Sequence, residues 1–311
     1  MHHSNTIIVS DIIDFGYSLM RKAKLHHHFF GKSLLKTAQY LTFWYLKFPH
    51  EYKNLDYLYS SISHLNAKKI IILFEKIISE RVPVEYITQE AWYLGNKFYV
   101  NENVLVPRSC MNTRFNDFLN QIHWENNLVL DLCTGSGCIG ITLALLNSQI
   151  NIDLVDISLK ALEVAKINVN NYYLKDKIRC IQSDLFKNVR NKYDLIITNP
   201  PYVSIAEYKA SPDEFKKEPK IALEAGWDGL DIIDRILSEA KEYLNKDGKL
   251  IAEVGTSAAK LIKRAYPKIP FKWFKYRKPV GEGSKFDNWI NRVFGMDCIF
   301  MCEAKDLPSI H

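Results

Sequence analysis

The sequence predicts an α/β fold: a helical N-terminal part, then a long stretch in which short apolar strands alternate with helices. Three observations carry this. Between residues 7 and 88 the apolar side chains recur at helical spacing. From residue 128 the pattern changes to strand–helix repeats, the sign of a parallel sheet. Turns containing glycine or proline follow several of those strands, at the edge where open α/β sheets bind ligands. The chain has 311 residues, 47% hydrophobic and 24% charged, which allows two domains of ordinary globular composition.

Taken in order, Ile12, Ile13, Leu19 and Met20 mark a first helix, and Leu34, Leu35, Ala38 and Leu41 a second. A third, Ala67 to Glu80, carries Ile70, Phe74 and Ile77 on one broad face, with Asn66 as its expected N-cap. The run His26-His27-His28 reads as solvated, because neighbours on a helix do not converge on one metal ion. Arg81-Val82-Pro83-Val84-Glu85-Tyr86 breaks the helical pattern. Trp92 to Val106 alternates and reads as a β-hairpin turning at Asn101-Glu102-Asn103, with a helix over roughly 113–122 after it. The expected domains are therefore 1–88, a helical substrate-recognition module; 89–112, a hairpin linker; and 113–311, a catalytic α/β domain.

Within the last, strands are expected at Leu128–Leu132, Ile152–Val155, Ile178–Gln182, Tyr193–Thr198, Lys249–Val254, Phe271–Tyr276 and Cys298–Cys302. Helices are expected at Ile139–Leu146, Leu159–Asn170, Gly229–Leu244 (closed by Asp247-Gly248) and Ser257–Ala265.

Composition narrows the class. No apolar run approaches the roughly 20 residues of a membrane helix. The start, Met1-His2-His3-Ser4, lacks the layout of a signal peptide, and the six cysteines form no C-x-x-C pair. A cytoplasmic protein with reduced thiols is expected. The net charge of +6 permits an acidic partner such as RNA without requiring one.

Chemistry concentrates at four strand ends. Asn199-Pro200-Pro201-Tyr202 stops the run Tyr193–Thr198; the double proline makes a stiff turn that holds one amide and one aromatic face, suited to a flat group bearing an NH2. Asp131-Leu132-Cys133-Thr134-Gly135-Ser136-Gly137 follows the first strand, its glycines allowing close approach of a ligand. Asp156 closes the second strand, placed to accept from both hydroxyls of a ribose. Asp184, with Leu185 and Phe186, follows the third, placed for an adenine amino group and ring. A dinucleotide is the nearest competitor, and Gly140 falls at the third glycine position of that fingerprint. No hydride-transfer partner is evident, however, and a ligand without phosphate fits better. S-adenosyl-L-methionine is such a ligand. No metal is called for.

Asp131-x-x-x-Gly135-x-Gly137, Asp156 and the Asn199–Tyr202 turn together resemble the class I methyltransferases that modify planar amino groups. Arg81-Val82-Pro83-Val84-Glu85-Tyr86, Val104-Leu105-Val106-Pro107-Arg108-Ser109 and the stretch Glu218-Pro219 to Asp231 resemble the protein glutamine methyltransferases, most closely the branch acting on the third protein of the large ribosomal subunit. The resemblance implies a Rossmann-like, seven-stranded class I fold and methyl transfer from S-adenosyl-L-methionine to a glutamine side-chain amide, leaving S-adenosyl-L-homocysteine. It assigns Asn199 and the Pro200 carbonyl to the glutamine NH2 and Tyr202 to the amide plane, with Pro201 also at the substrate. Asp131, Gly135, Gly137, Asp156, Asp184, Leu185 and Asn199 fall to the cofactor. The sequence departs from the family at Thr113, where members carry glutamate, and in a longer basic segment over 277–293 containing Trp289, a candidate contact for ribosomal RNA. Glutamine methylation of release factors, adenine methylation of DNA and a catalytically inactive binding protein are the alternatives.

Overall fold

The computed structural model describes residues 6–26, 33–49, 55–275 and 297–309. It divides into two compact units: residues 1–89 with 212–217, and residues 90–211 with 218–311.

In the first unit β1 (Ile7–Ile8) leads into α1 (Val9–Lys22), and α2 (Leu34–Leu46), β2 (Ser61–Ile62), α3 (His64–Glu80) and α4 (Val84–Thr88) follow. β1 pairs antiparallel with β2. α1 turns Val9, Ile12, Ile13 and Met20 inward along one stripe, and its acidic first and basic last turns suit the helix dipole. Those side chains pack with Leu41, Ile70 and Phe74, all fully or nearly fully buried. Each such side chain contributes roughly 1.5–3 kcal/mol. α3 starts earlier than its apolar pattern does. Ser63, not Asn66, is its N-cap, and the Ser63 hydroxyl accepts from the Asn66 amide at 3.2 Å. Segment 212–217 joins this unit through Glu214, whose carboxylate accepts from the Arg81 guanidinium at 3.0 Å and the His26 amide at 3.1 Å. His27 and His28 lie outside the described residues.

The second unit opens with a hairpin, β3 (Glu90–Tyr93) and β4 (Asn96–Tyr99). Its turn is Leu94-Gly95, with φ of +48° and +76°, rather than the expected Asn101-Glu102-Asn103. Positive φ at both positions marks a type I′ two-residue turn, and only the glycine announces that in the sequence. Residues 101–104 form a separate turn after the hairpin, with the Asn101 side chain accepting from the Asn103 amide at 3.0 Å. The helix expected over 113–122 is shorter, α5 (Phe115–Leu119), which buries Phe115 and Phe118.

The chain then runs β5 (Leu128–Leu132), α6 (Cys138–Leu146), β6 (Asn151–Asp156), α7 (Leu159–Asn171), β7 (Ile178–Gln182), β8 (Tyr193–Thr198), α8 (Ile205–Lys209), α9 (Asp231–Glu239), β9 (Leu244–Glu253), α10 (Thr256–Ala265), β10 (Lys272–Lys275) and β11 (Asp297–Glu303). The sheet order is β10-β11-β9-β8-β5-β6-β7. β5 to β9 are mutually parallel, and β11 is inserted antiparallel between β9 and β10. This is the seven-stranded sheet that the class I resemblance implies. The register sets Leu132 beside Thr198 and Thr198 beside Ala252, so β5, β8 and β9 end together. One expectation fails here: α9 stops at Glu239, and β9 begins at Leu244 rather than Lys249. Asp247-Gly248 looked like a helix stop but lies inside the strand, where the register with β8 shifts between Tyr193 and Leu195.

All six cysteines are free thiols, four of them buried. Among the described residues no helix is long and apolar enough to cross a membrane. The segment 277–293 lies outside the described residues.

Candidate active site

The carboxyl ends of β5, β6, β7 and β8 line one cleft of about 270 Å³, within the second unit. Gly135, Asp156, Asp184, Leu185, Asn199 and Pro201 all reach its wall. Gly135 has φ of +56°, and a Cβ there would meet nothing within 4 Å, so the loop leaves open space where a ligand approaches. Asp156 is held by its own turn. One carboxylate oxygen accepts from the Gly135 amide at 2.9 Å and the other from the Ser158 amide at 2.9 Å. Each oxygen therefore keeps lone-pair capacity for a further donor, which matches the two hydroxyls of a ribose. Burial raises the Asp156 carboxyl pKa against these two bonds. Asp184 is half exposed and pairs at 3.0 Å with Arg235, which also reaches the cleft. Leu185 is buried beside it and forms an apolar wall.

Asp131 and Gly137 were expected on this wall and are not there. The Asp131 carboxylate is fully buried and turned back on the loop, where one oxygen accepts from the Thr134 hydroxyl at 2.6 Å and the Gly140 amide at 2.9 Å. Its other oxygen has no hydrogen bond among the described residues, and burial pushes this carboxyl up to about 7. Gly137 caps α6, and a Cβ there would crowd Ile141 and Leu154. Both residues shape the loop from behind.

A second, smaller cavity of about 10 Å³ adjoins the cleft at the Asn-Pro-Pro-Tyr turn and shares Leu105, Arg108, Asn199 and Ala222 with it. Asn199, Pro200 and Tyr202 line it with Leu105, Arg108 and Glu253. Asn199 is the turn residue that borders both cavities at its own strand end. Its side chain makes no hydrogen bond to another described residue. Tyr202 is buried, and its hydroxyl donates at 3.5 Å to Glu253. Burial and the Glu253 charge raise its phenol well above the usual value.

Glu253 ends β9, next to β8 in the sheet. Its carboxylate also accepts from the Ser109 hydroxyl at 2.6 Å and the Cys110 amide at 3.0 Å. Arg108 donates to both oxygens of Glu218 at 2.7 and 2.9 Å, and the Val106 amide donates to the same carboxylate at 2.9 Å. Burial raises both the Glu218 and the Glu253 carboxyls, partly opposed by these bonds. After Tyr202 the chain is strapped to segment 222–229: Val203 and Leu223 share a hydrogen bond of 2.9 Å, as do Ala225 and Val203, and Ile205 and Gly226.

Residues 115–226 match the Methyltransferase small domain family. A ribosomal protein uL3 glutamine methyltransferase from Neisseria meningitidis serogroup B is 38% identical over 273 residues, covering 86% of this chain and 88% of that one. One from Francisella tularensis is 44% identical over 216 residues, covering 67% and 68%. The chain belongs to the uL3 glutamine methyltransferase family. Among solved structures, a methyltransferase from Pyrococcus furiosus aligns with 76% of this chain and 98% of that chain, at 16% identity and a TM-score of 0.46.

As a member of this methyltransferase family the chain brings more to its site than the strand-end motifs announced. Arg108, Glu218 and Glu253 border the smaller cavity or brace its walls, although the sequence points there only to Asn199, Pro200 and Tyr202; Pro201 lies on the larger cleft instead. A signal existed for Glu253, a carboxylate directly after the apolar run Leu250-Ile251-Ala252. Thr113 is exposed, and its hydroxyl donates to the Cys110 carbonyl at 3.0 Å. It reaches neither cavity.

Proposed function

We propose that this methyltransferase moves the methyl group of S-adenosyl-L-methionine to the side-chain amide nitrogen of a glutamine in a large-subunit ribosomal protein, the uL3 of its relatives' names. The observation that carries the reading is Asn199: one side chain, without a hydrogen-bond partner among the described residues, at the junction of a nucleoside-sized cleft and a small acceptor pocket. The donor set suits the cofactor. Asp156 would hold the ribose hydroxyls, Asp184 the adenine amino group and Leu185 the ring, while Asp131 and Gly137 act indirectly by shaping the loop that carries Gly135.

When bound, the cofactor supplies a methyl group already activated by a sulfonium charge. The protein's own task is alignment. An amide nitrogen is a poor nucleophile because its lone pair is delocalised into the carbonyl. The Asn199 side-chain oxygen and the Pro200 carbonyl accept the two N–H bonds of the glutamine and turn the nitrogen toward the cleft. Two acceptors also favour the positive charge that develops on that nitrogen. Alignment of this kind contributes several kcal/mol. Tyr202, held by Glu253, packs on the amide plane. The pocket of about 10 Å³ is one water-sized space, so the carboxamide must part its walls, Leu105 and Ala222 among them, to reach Asn199. We further infer that the helical unit over residues 1–88 recognises the substrate, and that an enzyme acting on a ribosomal protein works in the cytoplasm.

Asn199→Ala is the test. Calorimetry should find cofactor binding retained, while transfer to uL3, followed by mass spectrometry, falls on the order of 100-fold or more. Near-normal turnover would sink the mechanism. Transfer by the wild type to release factors instead of uL3 would overturn the substrate.

A further inference from the structure

One aromatic side chain beside the acceptor turn has no part in the mechanism above. Trp227 is 85% exposed. The backbone that carries it is nevertheless tightly held. Gly226 and Gly229 flank it at φ of +82° and +84°; a Cβ on the first would strike the Asp231 carboxylate, and one on the second the Tyr202 carbonyl oxygen. The Gly226 carbonyl accepts from the Ile205 amide at 2.9 Å, and the Asp228 side chain accepts from the Leu230 amide at 3.0 Å. A large indole is thus presented in water from a rigid turn adjoining Tyr202. Such a side chain offers wide contact area at small entropic cost. Just ahead of this segment, Ile221 is 57% exposed and lines the cofactor cleft.

The charge around it selects the occupant. The whole chain carries +6, yet this rim is negative. Asp228 and Asp231 lie near enough to Asp234 to add to the effect of burial in raising its carboxyl. The bases of the stretch are committed elsewhere, Lys220 to Glu224 at 3.2 Å and Arg235 to Asp184 at 3.0 Å. None of the three aspartates forms an ion pair among the described residues. Asp231 and Asp234 also suit the first turn of α9, but Asp228 stands ahead of that helix and Trp227 serves no such end. An exposed indole on the same pinned turn as Asp228, and close in sequence to Asp231, offers a cation both cation–π and charge attraction.

We propose that Trp227, with Asp228 and Asp231, forms a rim subsite that receives a lysine or arginine side chain of the substrate protein close in sequence to the methylated glutamine. The inference rests on the reading of the chain as a protein glutamine methyltransferase and adds the part of the substrate that sets its affinity.

The test uses the full-length enzyme and full-length uL3. Mass spectrometry first locates the methylated glutamine, and each lysine or arginine within three residues of it is then replaced by alanine. Trp227→Ala and Asp228→Asn should each raise KM for uL3 by about fivefold with kcat and cofactor affinity unchanged, while Trp227→Phe should recover most of the loss. The uL3 variant lacking the cation should lose the same factor with the wild-type enzyme and nothing more with Trp227→Ala, the coupling expected of groups in contact. Raising the salt concentration should narrow the gap between wild type and Asp228→Asn. An unchanged KM for Trp227→Ala, or losses that simply add, would overturn the subsite and leave the proposed reaction standing. No transfer by the wild type to uL3 would instead remove the reaction assigned above.

Discussion

Gly229→Ala tests how tightly segment 222–229 pins the acceptor turn, and Gly95→Ala is its control. Both glycines have positive φ, +84° at Gly229 and +76° at Gly95. An L-residue pays roughly 1–2 kcal/mol for such a conformation wherever it occurs. The surroundings differ. A Cβ at Gly95 would meet nothing within 4 Å, whereas one at Gly229 would stand 2.5 Å from the Tyr202 carbonyl oxygen and 3.2 Å from the Ser204 amide. Ordinary contact begins at 3.4 Å, so 3.4 minus 2.5 leaves about 0.9 Å for one wall to yield. Crowding of that size costs about 1–3 kcal/mol. Gly95→Ala should therefore lose about 1–2 kcal/mol of stability and no activity, and Gly229→Ala roughly 2–5 kcal/mol. If the Tyr202 backbone is the wall that moves, transfer falls as well, since displacements near 1 Å at a reacting centre cost on the order of 100-fold. Urea denaturation and single-turnover transfer on the pair separate these effects. Two variants of equal stability and equal turnover would refute the claim that the turn is braced from behind.

Asp131 predicts a pH effect. Its carboxyl lies at about 7 in the fold against an ordinary 3.8, so the native state holds a proton that the unfolded chain gives up between those values. Stability from this group is therefore present at low pH and is lost as pH rises toward 7, by roughly 4 kcal/mol at most. Asp131→Asn removes the titration, and urea stability of the variant relative to wild type should improve by a few kcal/mol between pH 5 and pH 8. A difference that stays constant with pH would refute this, because any fixed cost of the amide cancels in the comparison. Arg108→Met leaves Glu218 buried without its cation and should cost about 3–5 kcal/mol in denaturation, a good part of which Arg108→Met with Glu218→Gln restores. Equal losses in the single and double variants would show that the pair does not act through charge.

The cleft was legible because each of its walls is a short apolar run stopped by a residue with one conformational purpose. Leu128–Leu132, Ile178–Gln182 and Tyr193–Thr198 have the bounds their patterns implied, and Gly135, Asp156, Asp184 and Asn199 all reach the cleft. Where the expectation failed, a local signal served another purpose. Asp247-Gly248 sits at an irregularity inside β9, and Leu94 takes positive φ with nothing in its side chain to announce it. Asp131 and Gly137 were read by position in a motif, but a carboxylate at a strand end can face the ligand or its own loop, and the two bonds to Thr134 and Gly140 decide for the loop.

The smaller cavity was harder to read because distant segments bring its charges together. Arg108 meets Glu218 across 110 residues, and Ser109 meets Glu253 across 144. Nothing local to any of these four residues says that its partner exists. Each carboxylate is nevertheless costly to bury alone, and each takes a bond from the same short stretch, Val106 to Cys110. That stretch therefore fastens to the ends of two chain segments at once, the one carrying Glu218 and the strand carrying Glu253. Tyr202 stands between them, with its hydroxyl on Glu253 and its carbonyl against Gly229. The double proline stiffens the Asn199–Tyr202 turn from within, and Glu253, itself fastened to Ser109 and Cys110, holds the hydroxyl of its last residue.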